Sequence, residues 1–552
     1  MGSYALSQIG NADYNIALGN FSLQNNQTGA FNTALGVFSQ YLITSGSFNL
    51  SVGYAALRGA TGASGGYNNI ALGDNSLEFN NDGFDNIAIG QLALNKNVTG
   101  DNNIAIGNGS LQKNVTGNYN VGIGYFVMNT SQTSSFNTAI GYRSLSTNTT
   151  GEQNVALGYE ALYENDAGKN NIAIGYQSSY LNTDGNDNFA SGYQALYNNL
   201  LGNNNTAIGY QSLFSNRASN NFSIGYQSLY SNGTGTNNTS IGYQSLFNNG
   251  TGTIVKAGSN NTSIGYQSLF SNTSGNNNFS AGFQSLYNNG TGSNNTSIGF
   301  QSLYSNTNGE NNFSIGYQTL YNNTIGLNNT VIGYQSTYTN TIGEYNTSFG
   351  FQSLYFNTTG SNNIAIGYQS LHYNNTGDNN ISFGNQSLLK NTTGNNNTAL
   401  GQQALNQNTT GESNTAIGYQ ALYYNTTGTN NIGIGQKALF LNSVGINNIA
   451  IGKECNNNNY SNTICLGNST STSKNNQINI GNTTYEEINL TTRGPTGPSG
   501  IEGTKNLTYT LEGLLVLDKT IKPTTGPTGS ICYDQSDNKL KFYDGITWNN
   551  LY

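Results

Sequence analysis

Asn295-Thr-Ser-Ile-Gly299-Phe-Gln-Ser-Leu-Tyr-Ser-Asn-Thr-Asn-Gly309 is one of many near-copies of itself along this chain. A Gly closes a short apolar run, a second Gly follows ten residues later, and the next copy begins at Asn312. The first Gly recurs from Gly19 to Gly481 in 28 copies, with a step of 17 in all but five intervals, which are 20, 16, 23, 15 and 14. A short constant period over most of 552 residues specifies a solenoid, in which each repeat is buried by its neighbours.

Taking that Gly as slot 0, slot −4 is Asn in every coil from Asn15 to Asn448, through Asn103, Asn205, Asn312 and Asn397. An unbroken stack of amides suits a ladder in which each side chain hydrogen-bonds its equivalents above and below and so locks the register. The slot 0 glycines, among them Gly107, Gly209, Gly299 and Gly401, supply a corner that a Cβ would strain. Slot −1 is Ile, Leu, Val or Phe except at Ser191 and Ala281, and slot −2 is almost always Ala or Ser, as at Ala105, Ala173, Ser263 and Ser314. Slot −3 varies, mostly among Ile, Val, Phe and Thr.

A run such as Asn103-Ile-Ala-Ile-Gly107 is a short β-strand whose successive side chains face opposite sides. Neither side is plainly polar. The expectation is that the larger apolar residues fill the coil and the Ala/Ser row faces out, letting another chain approach closely. Tyr-Gln-Ser-Leu-Tyr and its variants after the Gly read as a second strand, and Asn-Thr-Thr-Gly, as at Asn357 to Gly360 and Asn425 to Gly428, as a second corner. Two strands and two turns per 17 residues make one rung of an all-β parallel solenoid. Gly and Asn interrupt every stretch before helix could accumulate. At about 4.8 Å per rung, the rod would be on the order of 130 Å long.

Only 8% of residues are charged, so Asn, Thr, Ser, Gln and Tyr must wet the surface. A net charge of −8 argues against nucleic acid and against an anionic membrane surface, since both need clustered Lys and Arg. No apolar run approaches the length of a spanning helix. The first residues carry neither a basic segment nor an apolar one of the kind that targets secretion. The three Cys have no metal-ligand spacing; Cys455 and Cys465 sit in slots that other coils fill with Ala or Ser and read as small core residues.

Departures from the period map to loops. The 20-residue interval has extra residues near Gly59 to Gly66, and the 23-residue interval carries Thr253-Ile-Val-Lys-Ala-Gly258. All four Pro lie beyond the repeats, and Gly494-Pro-Thr-Gly497-Pro-Ser-Gly500-Ile-Glu-Gly503 has the collagen spacing, suiting either a three-chain neck or a polyproline linker. The end, with turns at Asp537-Asn538 and Asp544-Gly545, reads as a small β cap. Three regions follow: a repeat domain at 1–485, a neck at 486–506 and a small β domain at 507–552. Specificity is sought in what the coils do not repeat, at Ile254, Tyr543 and Trp548.

The pattern Asn-x-Ala-Ile-Gly-Tyr-Gln-Ser-Leu, seen at Asn414 to Leu422 with Ala421 in the Ser slot, resembles the head repeats of YadA-type trimeric adhesins. The resemblance covers roughly residues 10 to 485 and implies a left-handed β-roll with three chains side by side. The coil is longer than that family's usual coil, and no anchor barrel follows. With the Gly-Pro-Thr triplets and the tail Asp537-Asn-Lys-Leu-Lys-Phe-Tyr-Asp-Gly-Ile-Thr-Trp548, the chain resembles more closely fibre or tail-fibre proteins of phages and giant viruses. That likeness implies a homotrimer on a virion surface or outside a cell, with host-surface glycans or further copies of itself as partners.

Catalytic chemistry has little to stand on. The acids are scattered at turns, as with Asp184 and Asp187, and His372, the single His, sits in a slot usually held by Tyr or Phe. No metal, cofactor or catalytic residue is assigned. Tyr or Phe at slots +1 and +5, as in Tyr266 and Phe270, suits either stacked rings that stiffen the rod or a sugar-binding face. Sequons such as Asn148-Thr-Thr, Asn357-Thr-Thr and Asn391-Thr-Thr would sit at accessible corners. The expected function is a non-enzymatic structural or adhesive fibre. Alternatives are an end-to-end filament and a polysaccharide-cleaving tailspike.

Overall fold

The computed structural model describes residues 2–8, 10–250, 257–481, 531–534 and 539–550. Contacts divide the chain into two units, Met1–Ile488 and Asn489–Tyr552. Among the described residues every regular element is a strand.

In the first unit each coil contributes one strand on slots −3 to −1, from Ile16–Leu18 to Ile478–Ile480, and these 28 strands form one parallel sheet. Equivalent slots always pair: Thr296 with Phe313, Ser297 with Ser314 and Ile298 with Ile315. Register survives every irregular interval, since Leu50 pairs with Ile70 across the 20-residue interval and Thr239 with Thr262 across the 23-residue one. The extra residues near Gly59 to Gly66 are therefore accommodated without breaking the strand stack. The 17-residue period is the perimeter of one coil of a parallel β-solenoid.

The strand faces are the reverse of the sequence expectation. The Ala/Ser row points inward: Ala105, Ala173, Ser263 and Ser314 are fully buried. Slots −3 and −1 point out, leaving Ile172 and Ile174 37% and 39% exposed. The interior already holds Leu at slot +4 and a small residue at slot +3, such as Leu303 and Ser302, both fully buried. A 17-residue perimeter leaves little room for a second bulky apolar row, which accounts for Ala or Ser at slot −2 in nearly every coil.

Nor is the segment after the Gly a second strand. Slots +2 and +4 are left-handed in coil after coil, Gln301 at φ 49° and Leu303 at φ 51°, and slot −5 likewise, Asn294 at φ 58°. Asn tolerates this region, whereas Gln and Leu adopt it at a cost of about 1–2 kcal/mol each. The offset comes from stacking. Gln301 N–H donates to the Phe283 carbonyl (2.8 Å) and Leu303 N–H to the Thr319 carbonyl (2.8 Å), so main-chain bonds between coils continue round the perimeter. Among the described residues a second parallel sheet forms around slots +6 and +7 of five coils, as at Ser215–Asn216 and Ser271–Asn272.

The two glycine slots are fixed for different reasons. Gly299 has φ +125°, and a Cβ there would also lie 2.2 Å from the Gly316 carbonyl oxygen. At slot +10 the conflict is with the side chain of slot +7: a Cβ on Gly360 would sit 2.4 Å from Asn357 Oδ1 and 2.5 Å from the Gly377 carbonyl oxygen. In the coil where that Gly becomes Ser134, slot +7 is correspondingly Ser131, and the two hydroxyls bond each other.

In the second unit, Ile531–Asp534, Lys539–Tyr543 and Trp548–Asn550 form a three-stranded antiparallel sheet. The proposed neck, 486–506, and Ile254 lie outside the described residues.

Candidate functional site

The repeated side chains make continuous columns along the first unit, and the expected Asn ladder is the most regular. Asn312 Oδ1 accepts from Asn329 N–H (3.0 Å) and Nδ2 (3.1 Å), while Asn312 Nδ2 donates to the Gly326 carbonyl (2.9 Å). Asn15, Asn103 and Asn397 make the same bond to a corner carbonyl at 2.8 Å, and Asn205 makes it to Ala218 at 2.9 Å. Side chain thus bonds mainly to main chain, tying each strand start at slot −4 to the second corner, slot +10, that follows it. The column ends at Asn448, whose Oδ1 accepts from Thr463 N–H (3.0 Å) and Oγ1 (2.7 Å).

Sequence reasoning missed a second amide column at slot +7. Asn357 Nδ2 donates to Asn340 Oδ1 (2.8 Å) and to the Gly360 carbonyl (2.8 Å), and Asn374 continues it to Asn357 (2.8 Å). Its sequence signal is the Asn that opens each Asn-Thr-Thr-Gly corner, a residue type that a turn alone would also explain. This corrects the expectation about sequons: Asn148, Asn357 and Asn391 are fully buried with their Nδ2 groups donated, so folded coils do not offer them for glycosylation. A third column runs at slot +2, where Gln301 Nε2 donates to Gln284 Oε1 (2.9 Å) and Gln318 Nε2 to Gln301 Oε1 (2.9 Å).

Inside the middle coils, hydroxyls form a relay. Ser285 Oγ donates to Ser297 Oγ (2.8 Å), and Ser297 Oγ donates to the Ser302 carbonyl (2.8 Å). The pairing joins slot +3 to slot −2 of the next coil. Where slot −2 is Ala that hydroxyl partner is missing: Ser22 and Ser76 turn back to their own slot 0 carbonyls, whereas Ser144 and Ser178, which precede Ala156 and Ala190, keep unpartnered buried hydroxyls. Cys455 and Cys465 occupy that same slot pair and are joined by a disulfide. They are buried core residues as expected, but bonded ones, which became evident only once the coil placed slot +3 against slot −2.

The aromatic slots form two stacks. At slot +1 rings follow one another from Tyr125 to Tyr368, as in Tyr266 on Phe283 at 5.0 Å and 5°. At slot +5 they run from Tyr163 to His372, as in Phe270 on Tyr287 at 5.0 Å and 4°. Rings that cover one another's faces present mainly edges to solvent, so long rows are poor platforms for a sugar. His372 stacks on Tyr355 (5.3 Å) with Nδ1 2.9 Å from the Gln352 carbonyl, and burial holds its pKa below the ordinary value despite that bond. Burial, with the Glu160 carboxylate nearby, pushes the Tyr180 phenol up to about 12.

Asp184 and Asp187 are exposed corner residues. Among the described residues no three His, Cys, Asp or Glu side chains cluster as a metal site would require. In the terminal sheet Tyr543 is buried and packs on Trp548, ring centroids 5.1 Å apart. Asp544 closes the hairpin by accepting from Thr547 N–H (2.7 Å), Ile546 N–H (2.8 Å) and Asn549 Nδ2 (2.7 Å), and the backbone bonds hold its carboxyl below the usual range.

The outward strand face is a continuous, repeated surface. Slot −1 is apolar in every coil except at Ser191 and Ala281, and much of it is open to solvent, with Ile140, Ile264 and Ile332 37–40% exposed. Slot −3 and the slot +1 rings flank it. No family model and no curated protein matches the chain.

Proposed function

We propose that the chain is a non-enzymatic structural fibre in which three copies lie side by side, displayed on a virion or outside a cell as an adhesive spacer. The observation that carries this is the outward strand face. Soluble monomers rarely expose apolar patches beyond a few hundred Å². Here a row of partly exposed Ile, Leu, Val and Phe, interrupted only at Ser191 and Ala281, runs the length of the 28 coils, as the apolar core of a long interface would. Copies therefore meet through slots −1 and −3 rather than through the Ala/Ser row, which the coil interior uses. A left-handed roll, a Gly-Pro neck and the terminal sheet as a cap complete this reading, which rests on the likeness to YadA-type heads and viral fibres.

Placing charge on that face tests it. Ile298→Lys combined with Ile332→Lys should lower the sedimentation coefficient of the assembled particle while the coils remain folded. An unchanged particle would remove slot −1 from the interface. Release of oligosaccharides from host polysaccharide by the purified protein would instead favour the tailspike.

A further inference from the structure

One stretch breaks the pattern of rings that cover each other. Near the first turns the aromatic column sits at slot −5, with Phe31 on Phe48 at 4.9 Å and 7°. In the next coil that slot is Asn68, and the ring moves one residue back to Tyr67, which stacks onward on Phe84 at 4.8 Å and 3°. Ser47 is the residue in register with Tyr67. Each ring is thus covered on one face by its own stack, while the other face looks towards a small or polar neighbour.

Between them lies a cleft of about 500 Å³, lined by Phe48, Tyr67, Ser47, Ser64, Asn68 and Asp82. Its position follows from the long interval. Ile43 stands where other coils carry the slot +7 Asn, is fully buried, and packs against the inserted Gly59 and Gly65. The insertion is therefore a built wall with an apolar plug. Ser64 Oγ bonds the Asp82 carboxylate at the rim, and Asp82 stays exposed.

We propose that this cleft binds a neutral hexopyranose ring, free or as part of a glycan. Exposed aromatic faces attract the polarised C–H bonds on one side of a sugar. The carboxylate, amide and hydroxyls can take up its hydroxyl groups, and the volume is that of a small-ligand site with a few convergent polar groups. No cation lines the cleft, which disfavours anionic ligands. The proposal extends the adhesive-fibre reading by giving it a ligand class and a place.

The test is saturation-transfer NMR and calorimetry on the full chain with methyl glycosides of glucose, galactose and mannose, N-acetylglucosamine, N-acetylneuraminic acid and tetramethylammonium. The expected result is millimolar binding of at least one neutral sugar, weakened tenfold or more by Phe48→Asn and by Asp82→Ala, and unchanged by Tyr210→Ala in the long stack. Asn occupies slot −5 at Asn68 and Asn102, so Phe48→Asn keeps the coil foldable. The proposal is overturned if no neutral sugar binds, if only tetramethylammonium or the acidic sugar binds, or if binding survives both cleft variants. Light scattering on the same samples separates the two claims: a trimer that binds nothing sinks the cleft alone, and a monomer that binds sugar sinks the fibre alone.

Discussion

Replacing Asn312 with Ala removes one rung of the slot −4 column and leaves a countable set of broken bonds. The Gly326 carbonyl keeps Asn323 Nδ2 (3.0 Å), and Asn295 Oδ1 keeps the N–H of residue 312 itself (3.0 Å). Asn329 N–H, in contrast, loses its only acceptor in a site where Asn312 is 1% exposed. An orphaned buried donor costs about 1–3 kcal/mol, and the space left by the amide about 1 kcal/mol more. At about 1.4 kcal/mol per factor of ten, local opening should rise roughly 30- to 700-fold. Coils of a solenoid open locally, so hydrogen exchange followed by mass spectrometry reads this directly. Peptides spanning 296–346 should lose protection while those spanning 172–208 do not. Asn312→Asp keeps the acceptor but buries a charge against the Gly326 carbonyl and Asn295 Oδ1, and should lose more. Exchange in Asn312→Ala no faster than in the exposed control Asn308→Ala would refute the ladder as a source of stability.

Three further outcomes are expected. Ser178→Ala, which deletes an unpartnered buried hydroxyl, should be neutral or stabilising, whereas Ser297→Ala removes the relay hydroxyl but leaves Ser285 Oγ its bond to the residue 297 carbonyl (2.9 Å) and should cost about 0.5–1.5 kcal/mol locally; Ala190→Ser should make Ser178 worth keeping, all by hydrogen exchange. Burial lowers the His372 pKa, so the folded state prefers the neutral ring; stability there is complete above about 6.5, declines as pH falls below it and levels off beneath the lowered folded value. Exchange around coils 350–390, corrected for intrinsic rate, should accelerate on acidification and lose that dependence in His372→Phe. Reducing the Cys455–Cys465 disulfide with a thiol should speed exchange in the last coils only, and Cys455→Ser with Cys465→Ser, which recreates the pair used at Ser285 and Ser297, should abolish the sensitivity to reductant.

The period, the register and the slot −4 column could be read from the sequence because each is a one-dimensional regularity. Which strand face lies inside was misread, although the sequence held the answer. Slot −3 accepts Phe222 and Thr239 in successive coils, a tolerance no close-packed interior allows, while slot −2 is Ala or Ser in nearly every coil. The left-handed Gln301 and Leu303 were not legible, since neither residue favours that backbone and only the bonds between coils hold it there. The cleft at Phe48 and Tyr67 was hidden for a different reason: it arises from a one-residue offset between two rows of rings, invisible until the coils are stacked.

The oligomeric state carries the central claim, because the proposed fibre covers its apolar strip with copies of the same chain. The mass of the full chain in solution, by sedimentation equilibrium over a wide concentration range, is the most direct test. Three times the 58.7 kDa of one chain, independent of dilution, is the expected result. A mass of one chain, with the coils folded and the strand face open to solvent, would contradict it.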